Sequence, residues 1–265
     1  MSTDGSTTRQ NNAEVNKMRV FRAFGLMMAV VGALWFLSPS ISGAADVCDG
    51  IDKDLLTKHI PFPFEKVVET KPLKDLNLCQ VIILINGNNA PLYVPSTKDA
   101  VIAGDIFRNR TPLSRNVIDR IEAQTFGQYE KELSDTVAFT YKPATSIKGL
   151  LYMITDPDCP YCEKAKEPIK RFADENGMEI KVIFYPLPFH PDAKDKSVKG
   201  ICGGMDYNDY LAARYSGGLC KDGEEKIGRS LEMVRKLGVT GTPTFIGGNG
   251  RRVSGFIPEQ LKSLL

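Results

Sequence analysis

Two cysteines three positions apart, Cys159-Pro160-Tyr161-Cys162, carry the chemistry most readable in this chain. They fall between an apolar run of strand length, Gly149-Leu150-Leu151-Tyr152-Met153-Ile154, and a predicted helix that starts at Pro160 and ends near Asn176-Gly177. A cysteine at a helix start lies beside backbone N–H groups that lack intrahelical partners and beside the positive end of the helix dipole. Both favour thiolate, the form that attacks disulfides. The carboxylates of Asp156 and Asp158 oppose it, and the helix end, acting at closer range, is expected to win. Cys162 lies one turn inside the helix and is expected to be more buried, staying protonated until a mixed disulfide has to be released. Cys159 and Cys162 are therefore the candidate catalytic pair of a thiol–disulfide exchange enzyme that needs no cofactor.

A lone Cys-x-x-Cys can also be half of a zinc site. A structural zinc asks for a second pair at similar spacing. The next cysteines, Cys202 and Cys220, are eighteen apart, and the only histidines are His59 and His190, so no metal is expected. Gly241-Thr242-Pro243-Thr244-Phe245 is the second informative element. A proline leading directly into a strand suits a tight turn, with a cis bond as one option. Beside a reactive pair, such a turn would offer the backbone of Thr242 to an extended substrate. Thr242, Pro243 and Tyr161 are the candidate substrate-binding residues.

Cys202 and Cys220 flank a Gly- and Tyr-rich stretch and are expected to pair with each other. Closing their loop of about 19 residues would stabilise the fold by roughly 3 kcal/mol. Cys48 and Cys79 are expected to pair likewise. A redox-active role for one of these pairs is the alternative.

The pattern predicts an α/β chain. Val137 to Tyr141, Gly149 to Ile154 and Glu179 to Tyr185 read as strands. Pro160 to Asn176 reads as a helix with Pro168 inside it and Gly177 as its C-terminal stop. A polar, partly helical stretch from Asp192 to Gly238 follows. Thr244 to Gly255 reads as a hairpin around Gly247-Gly248-Asn249-Gly250, and Pro258 to Leu265 as a closing helix. This is the element order of a thioredoxin fold with a helical insertion, over residues 137–265. Upstream, residues 46–110 show a helix beginning at Leu55 and broken by Pro61 and Pro63, a strand from Cys79 to Ile85, and short strands at Pro91 to Pro95 and Ala100 to Ala103. They predict a small α+β domain. Thr111-Pro112 reads as the N-cap and first position of a helix running from Leu113 to Leu133, so that residues 111–136 are expected to form a linker helix, with a surface helix of one domain as the alternative.

The chain has 265 residues and a formal net charge of +2. Residues 1–45 hold Arg9, Lys17, Arg19 and Arg22 against Asp4 and Glu14, which leaves 30 basic and 30 acidic side chains in the remainder. A neutral body argues against nucleic-acid binding. Arg19 and Arg22, the apolar stretch Ala23 to Leu37, and Ser42-Gly43-Ala44-Ala45 read as a cleavable signal peptide over 1–45, with Met18 as an alternative start. The alternative is a retained membrane anchor, but the apolar stretch falls short of the roughly 20 residues that span a bilayer. Six cysteines after an export signal point to an oxidising compartment, the bacterial periplasm.

Cys159-Pro-Tyr-Cys162, the Gly241-Thr-Pro243 loop, the Cys202/Cys220 pair and Phe184-Tyr185-Pro186 together resemble the DsbC/DsbG group of periplasmic disulfide isomerases. The resemblance is closest over 137–265. It extends more loosely to 46–110, through Pro91-Leu92-Tyr93-Val94 and Val101-Ile102-Ala103-Gly104, which are similar to the group's cystatin-like dimerisation domain. It implies a V-shaped homodimer acting on misoxidised exported proteins and kept reduced by a membrane electron donor of the DsbD type. The dipeptide departs from the group, whose members often carry Gly-Tyr. A thiol oxidase or reductase of other polarity, a chaperone-like holdase and a metal-delivery adaptor are the competing readings.

Overall fold

The computed structural model describes residues 46–265, which form one compact unit. The expected signal peptide, 1–45, lies outside the described residues. The first helix, α1 (Lys53–Thr57), starts where the Asp52 carboxylate accepts the Leu55 N–H at 2.8 Å. It ends before Pro61 and Pro63. The chain then enters β1 (Lys66–Leu73), a strand that the sequence reading did not include. Val67, Val68 and Thr70 are β-branched and suit a strand. Pro72 is tolerated because β1 is an edge strand, in a sheet ordered β1-β2-β3-β4 with β2 at Leu78–Ile85, β3 at Asn88–Pro95 and β4 at Ile102–Ala103. All neighbours pair antiparallel. Asn86 and Gly87, with φ of +50° and +75°, form the two-residue turn between β2 and β3.

Side chains alternate along β2. Cys79, Val81 and Ile83 face a core that includes Leu56 of α1. Ile82 faces the other way and packs on Val117 and Ile121 of α2 (Arg115–Ser134). The start of α2 corrects the sequence reading. Thr111–Pro112 is a strand, β6, paired with β5 (Phe107–Arg108). Asn109 and Arg110, at φ of +51° and +64°, turn the chain back between them. Ser114 takes the N-cap position, and its hydroxyl donates to Asp105 Oδ2 at 2.6 Å instead of capping the helix.

The C-terminal half of α2 serves a second core. Phe126 and Leu133 pack with Tyr152 and Ile154 of β8 (Gly149–Thr155) and with Met233 and Val234. Strand β8 lies in a five-stranded sheet ordered β11-β10-β8-β9-β7, where β7 is Phe139–Tyr141, β9 is Met178–Phe184, β10 is Thr244–Gly247 and β11 is Arg252–Ser254. Only β8 and β9 run parallel; their crossover is α3 (Pro160–Asn176), which passes through Pro168 and stops at Gly177 with φ +69°. Leu151 and Met153 face Ala165, Ile169 and Ala173 of α3, while Tyr152 and Ile154 face α2 and α6 (Lys221–Lys236). Burial on both faces is why β8 reads as an unbroken apolar run. The excursion between β9 and β10 contains α4 (Ala193–Cys202), α5 (Tyr207–Leu211) and α6, and α7 (Pro258–Leu261) closes the chain. The disulfide Cys202–Cys220 joins the end of α4 to the N-cap of α6; Cys48–Cys79 joins the first turns of the described chain to β2.

Arg252 fastens α2 to the second sheet. Its guanidinium reaches Glu122 Oε1 at 2.5 Å and donates to the carbonyls of Leu237 and Gly238 at 2.8 Å each. Both side chains are about 85% buried, at 13% and 15% exposure. Burial raises the Glu122 carboxyl above its usual range, and Arg252 works in the opposite direction. Removing one partner of such a pair leaves the other charge poorly solvated. Arg252→Ala is expected to cost about 3 kcal/mol in denaturant unfolding. A loss below about 1 kcal/mol would show that apolar packing of Phe126 and Leu133 holds this junction without the ion pair.

Candidate active site

The parallel pair ends together, β8 at Thr155 and β9 at Phe184, with Thr155 opposite Phe184 in register. The loops that follow these two ends build the site. After Thr155 the chain makes a turn through Asp156-Pro157-Asp158, in which the Cys159 N–H donates to the Asp156 carbonyl at 3.3 Å. Cys159 occupies the N-cap of α3 in an extended conformation (φ −78°, ψ 118°), and Pro160 fills the first helical position, where no N–H is needed. Cys162 follows on the inner face of the first turn.

Both cysteines are free thiols and both are largely covered, Cys159 at 5% exposure and Cys162 at 0%. Cys159 is therefore less open than its helix-end position suggested. The reason is the loop before β10. Thr242-Pro243 is a cis peptide, and the Thr242 carbonyl oxygen lies 3.4 Å from Cys159 Sγ, close enough to accept the thiol proton. The structure thus brings together Cys159, Cys162, Thr242 and Pro243. Tyr161 points outward at 69% exposure. With Thr242, Pro243 and Phe256 it lines a groove of about 500 Å³ on one side of the cis peptide.

Burial pushes the Cys162 thiol up to about 12 from an ordinary value of 9.0. The hydroxyl of Thr155 and the N–H of Asp156, 3.5 Å from Cys162 Sγ, act in the opposite direction and do not offset it. Thr155 is itself held by Tyr210 of α5, with 2.5 Å between the two hydroxyl oxygens. Tyr210 is fully buried, and burial holds its hydroxyl well above the ordinary range. Lys166, four residues along α3 from Cys162, is buried too. Its ammonium donates to the Tyr210 carbonyl at 2.8 Å, sits 4.3 Å from the Tyr210 ring centre and meets Glu163 at 2.5 Å. None of Thr155, Lys166 or Tyr210 stood out in the sequence. Thr155 could have been found as the last residue of the strand before the motif. Tyr210 has no sequence signal, because α5 lies 55 positions from Thr155.

The acidic residues before Cys159 are compensated. Asp156 Oδ2 accepts the Leu187 N–H at 2.6 Å, Oδ1 accepts the Asp158 N–H at 2.7 Å, and His190 Nδ1 approaches Oδ1 to 3.0 Å outside hydrogen-bonding alignment. Asp158 pairs with Lys196 of α4, whose ammonium it holds above its usual range. The carboxylates that the sequence set against a thiolate are thus directed at amide and ammonium groups.

Residues 140–265 match the family model of the thioredoxin-like domain. The chain is 27% identical over 186 residues to the thiol:disulfide interchange protein DsbC of Escherichia coli, covering 67% of this chain and 74% of that protein. The DsbC of Salmonella typhimurium is 25% identical over 177 residues, covering 66% and 72%. Among solved structures, DsbG of Helicobacter pylori aligns with 68% of this chain and 91% of its own at 18% identity and a TM-score of 0.35. The family model and the sequence relatives together define a thioredoxin-fold thiol:disulfide oxidoreductase. Within that class the chain is most readily compared with the DsbC type of thiol:disulfide interchange protein, to which it is similar over about two thirds of its length. Among the described residues no helix is long and apolar enough to cross a membrane.

Two outcomes follow from the contrast between the thiols. In the reduced protein near neutral pH, iodoacetamide is expected to modify Cys159 well before Cys162, as read by peptide mass mapping; equal rates would contradict the burial described. Stability should also fall with alkali. A thiol raised in the folded state contributes stability that is complete below the unfolded value, near 9, and is lost as pH rises towards about 12. Between pH 9 and pH 10 the reduced protein should therefore lose about 1 kcal/mol more than Cys162→Ala does in denaturant titrations.

Proposed function

We propose that this protein is an exported disulfide isomerase in which Cys159 is the nucleophile and Cys162 the resolving thiol. The observation that carries this reading is the open Cys159/Cys162 pair at the start of α3, facing the Thr242 carbonyl across 3.4 Å. The Cys159 thiolate attacks one sulfur of a client disulfide. The client S–S bond breaks, a new bond joins Cys159 to the client, and the other client sulfur leaves as a thiolate. That thiolate can attack a second disulfide of the same client and finally displace Cys159, so the pairing is rearranged with no net electron transfer. Alternatively Cys162 attacks Cys159 Sγ, the client leaves with two thiols, and the Cys159–Cys162 disulfide must be reduced by a two-electron donor. A membrane protein of the DsbD type would fill that role.

The cis peptide and the groove beside Tyr161 support substrate binding by Thr242, Pro243 and Tyr161. An extended client segment can hydrogen-bond to the Thr242 backbone while side chains enter the groove. The high value of the Cys162 thiol supports isomerisation over rapid release, since a protonated thiol cannot attack. The small antiparallel sheet of 46–110 supports a dimerisation module. Its edge strand β4 carries the exposed Ile102, and Phe107 nearby is 64% exposed. The four bridge-forming cysteines and the basic, then apolar, N-terminal sequence support the periplasm as the site of action.

The test is refolding of a scrambled multi-disulfide protein. Wild type is expected to restore its activity, Cys159→Ala to lose all of the gain, and Cys162→Ala to retain part of it while accumulating mixed disulfides visible without reductant. Full rescue by Cys159→Ala would leave a holdase and remove the enzyme reading. If reduced wild type stays inactive on scrambled protein while oxidised wild type rapidly oxidises reduced clients, the polarity proposed here is wrong.

A further inference from the structure

A second cavity flanks the cis-peptide loop. Thr240 lines it, while Gly241, Thr242 and Pro243 line the groove beside Tyr161, so the two recesses share one strip of backbone. This cavity is about 560 Å³. Its lining is largely apolar, with residues such as Leu187, Pro188 and Val239; its charged groups are Lys194 and Arg235, and the imidazole of His190 lines it too. No Asp or Glu lines it. On the same helices Lys196 pairs with Asp158 and Lys236 with Glu232, while Lys199 on α4 and Lys226 on α6, which do not line the cavity, lack a carboxylate partner among the described residues. Lys194 and Arg235 are exposed and have no carboxylate partner among the described residues. The acid beneath His190, Asp156, is buried and already accepts two N–H groups.

We propose that this cavity is a second client subsite, taking the stretch of extended client polypeptide next to the attacked cysteine where that stretch carries an apolar and an acidic side chain. The inference rests on the exchange chemistry proposed above and names the client feature that chemistry selects. Distance supports it. Thr242, whose carbonyl is 3.4 Å from Cys159 Sγ, is two residues from Thr240, and two residues of extended chain span at most about 7 Å. A client strand laid along Thr242 projects neighbouring side chains about that far apart. It can therefore present its cysteine to Cys159 while a residue two positions away reaches the cavity. The wall is fixed to the reacting loop, because the Leu187 N–H holds the carboxylate of Asp156, which also orients Asp158 beside Cys159. The apolar floor takes the aliphatic side chain and the two unpaired cations take the carboxylate. Charge at such a rim acts mainly on the rate of encounter.

The test uses the reduced full chain with its two bridges intact and a set of symmetrical peptide disulfides. These differ at one residue, Glu, Gln or Lys, placed two positions before or two positions after the cysteine, with Leu adjoining it. Each reaction yields the Cys159–Cys162 disulfide and two peptide thiols, whose appearance gives the rate. The Glu peptide is expected to react at least about fivefold faster than the Lys peptide in one of the two placements. Added salt should shrink that ratio. The ratio should vanish in Lys194→Gln/Arg235→Gln and invert in Lys194→Glu/Arg235→Glu, while the alkylation rate of Cys159 by neutral iodoacetamide stays as in wild type. Equal rates for all peptides with the wild-type protein, or a Glu preference that survives both double variants, overturns the subsite and leaves the exchange reaction standing. Failure to react with any peptide overturns both.

Discussion

A single buried carboxylate holds the reactive end of the second sheet together. Asp156 follows β8, and its two oxygens take the N–H of Asp158 on its own loop and the N–H of Leu187 on the loop after β9. Two chain segments that leave adjacent parallel strands are thereby tied at one point. Cys159 starts α3 directly after the tied loop, within reach of the Thr242 carbonyl, and Leu187 on the other side of the tie lines the second cavity. An acid with no exposure survives there because both oxygens are satisfied by backbone donors and a histidine stands close by. A hydrophobic residue at this place would release two amide groups and uncouple the loops.

The second dependency is α2. A helix with Val117 and Ile121 in one core and Phe126 and Leu133 in another cannot be moved without opening both. The Arg252–Glu122 pair and the close passage of Gly87 over Gly238 lie at the same junction. A side chain at Gly238 would overlap the Gly87 carbonyl, and its φ of +67° already favours glycine. The tip of the β2–β3 turn therefore rests directly on the end of α6, one edge of the second cavity.

How far the sequence could be read follows from which interactions are local. The strand, the Cys-x-x-Cys turn and α3 are specified by neighbours within about twenty positions: the apolar run of β8, Pro160 at a first helical position, and Gly177 at a stop. The loop Gly241-Thr242-Pro243 was legible because proline constrains its own backbone. The site pieces that stayed hidden are those made across the fold. Tyr210 meets Thr155 only through tertiary packing, and Leu187 meets Asp156 across 31 positions. Strand β1 was hidden by the two prolines before it. The start of α2 was misplaced because Thr-Pro carries the same local preference at a helix N-terminus as at the end of a tight hairpin, and Asn109-Arg110 decided for the hairpin. The burial of Cys159 was likewise out of reach, since the loop that covers it brings in a carbonyl 83 positions away.

The bridge between Cys48 and Cys79 has a bearing on how the molecule matures. Cys79 has no exposure at all and lies mid-sheet among Val81, Leu92 and Val94. Its partner Cys48 stays half-buried, so an oxidant can take up that thiol in a mixed disulfide and Cys79 can close the bridge from within the sheet. The finished molecule keeps two sulfur pairs joined and a third apart.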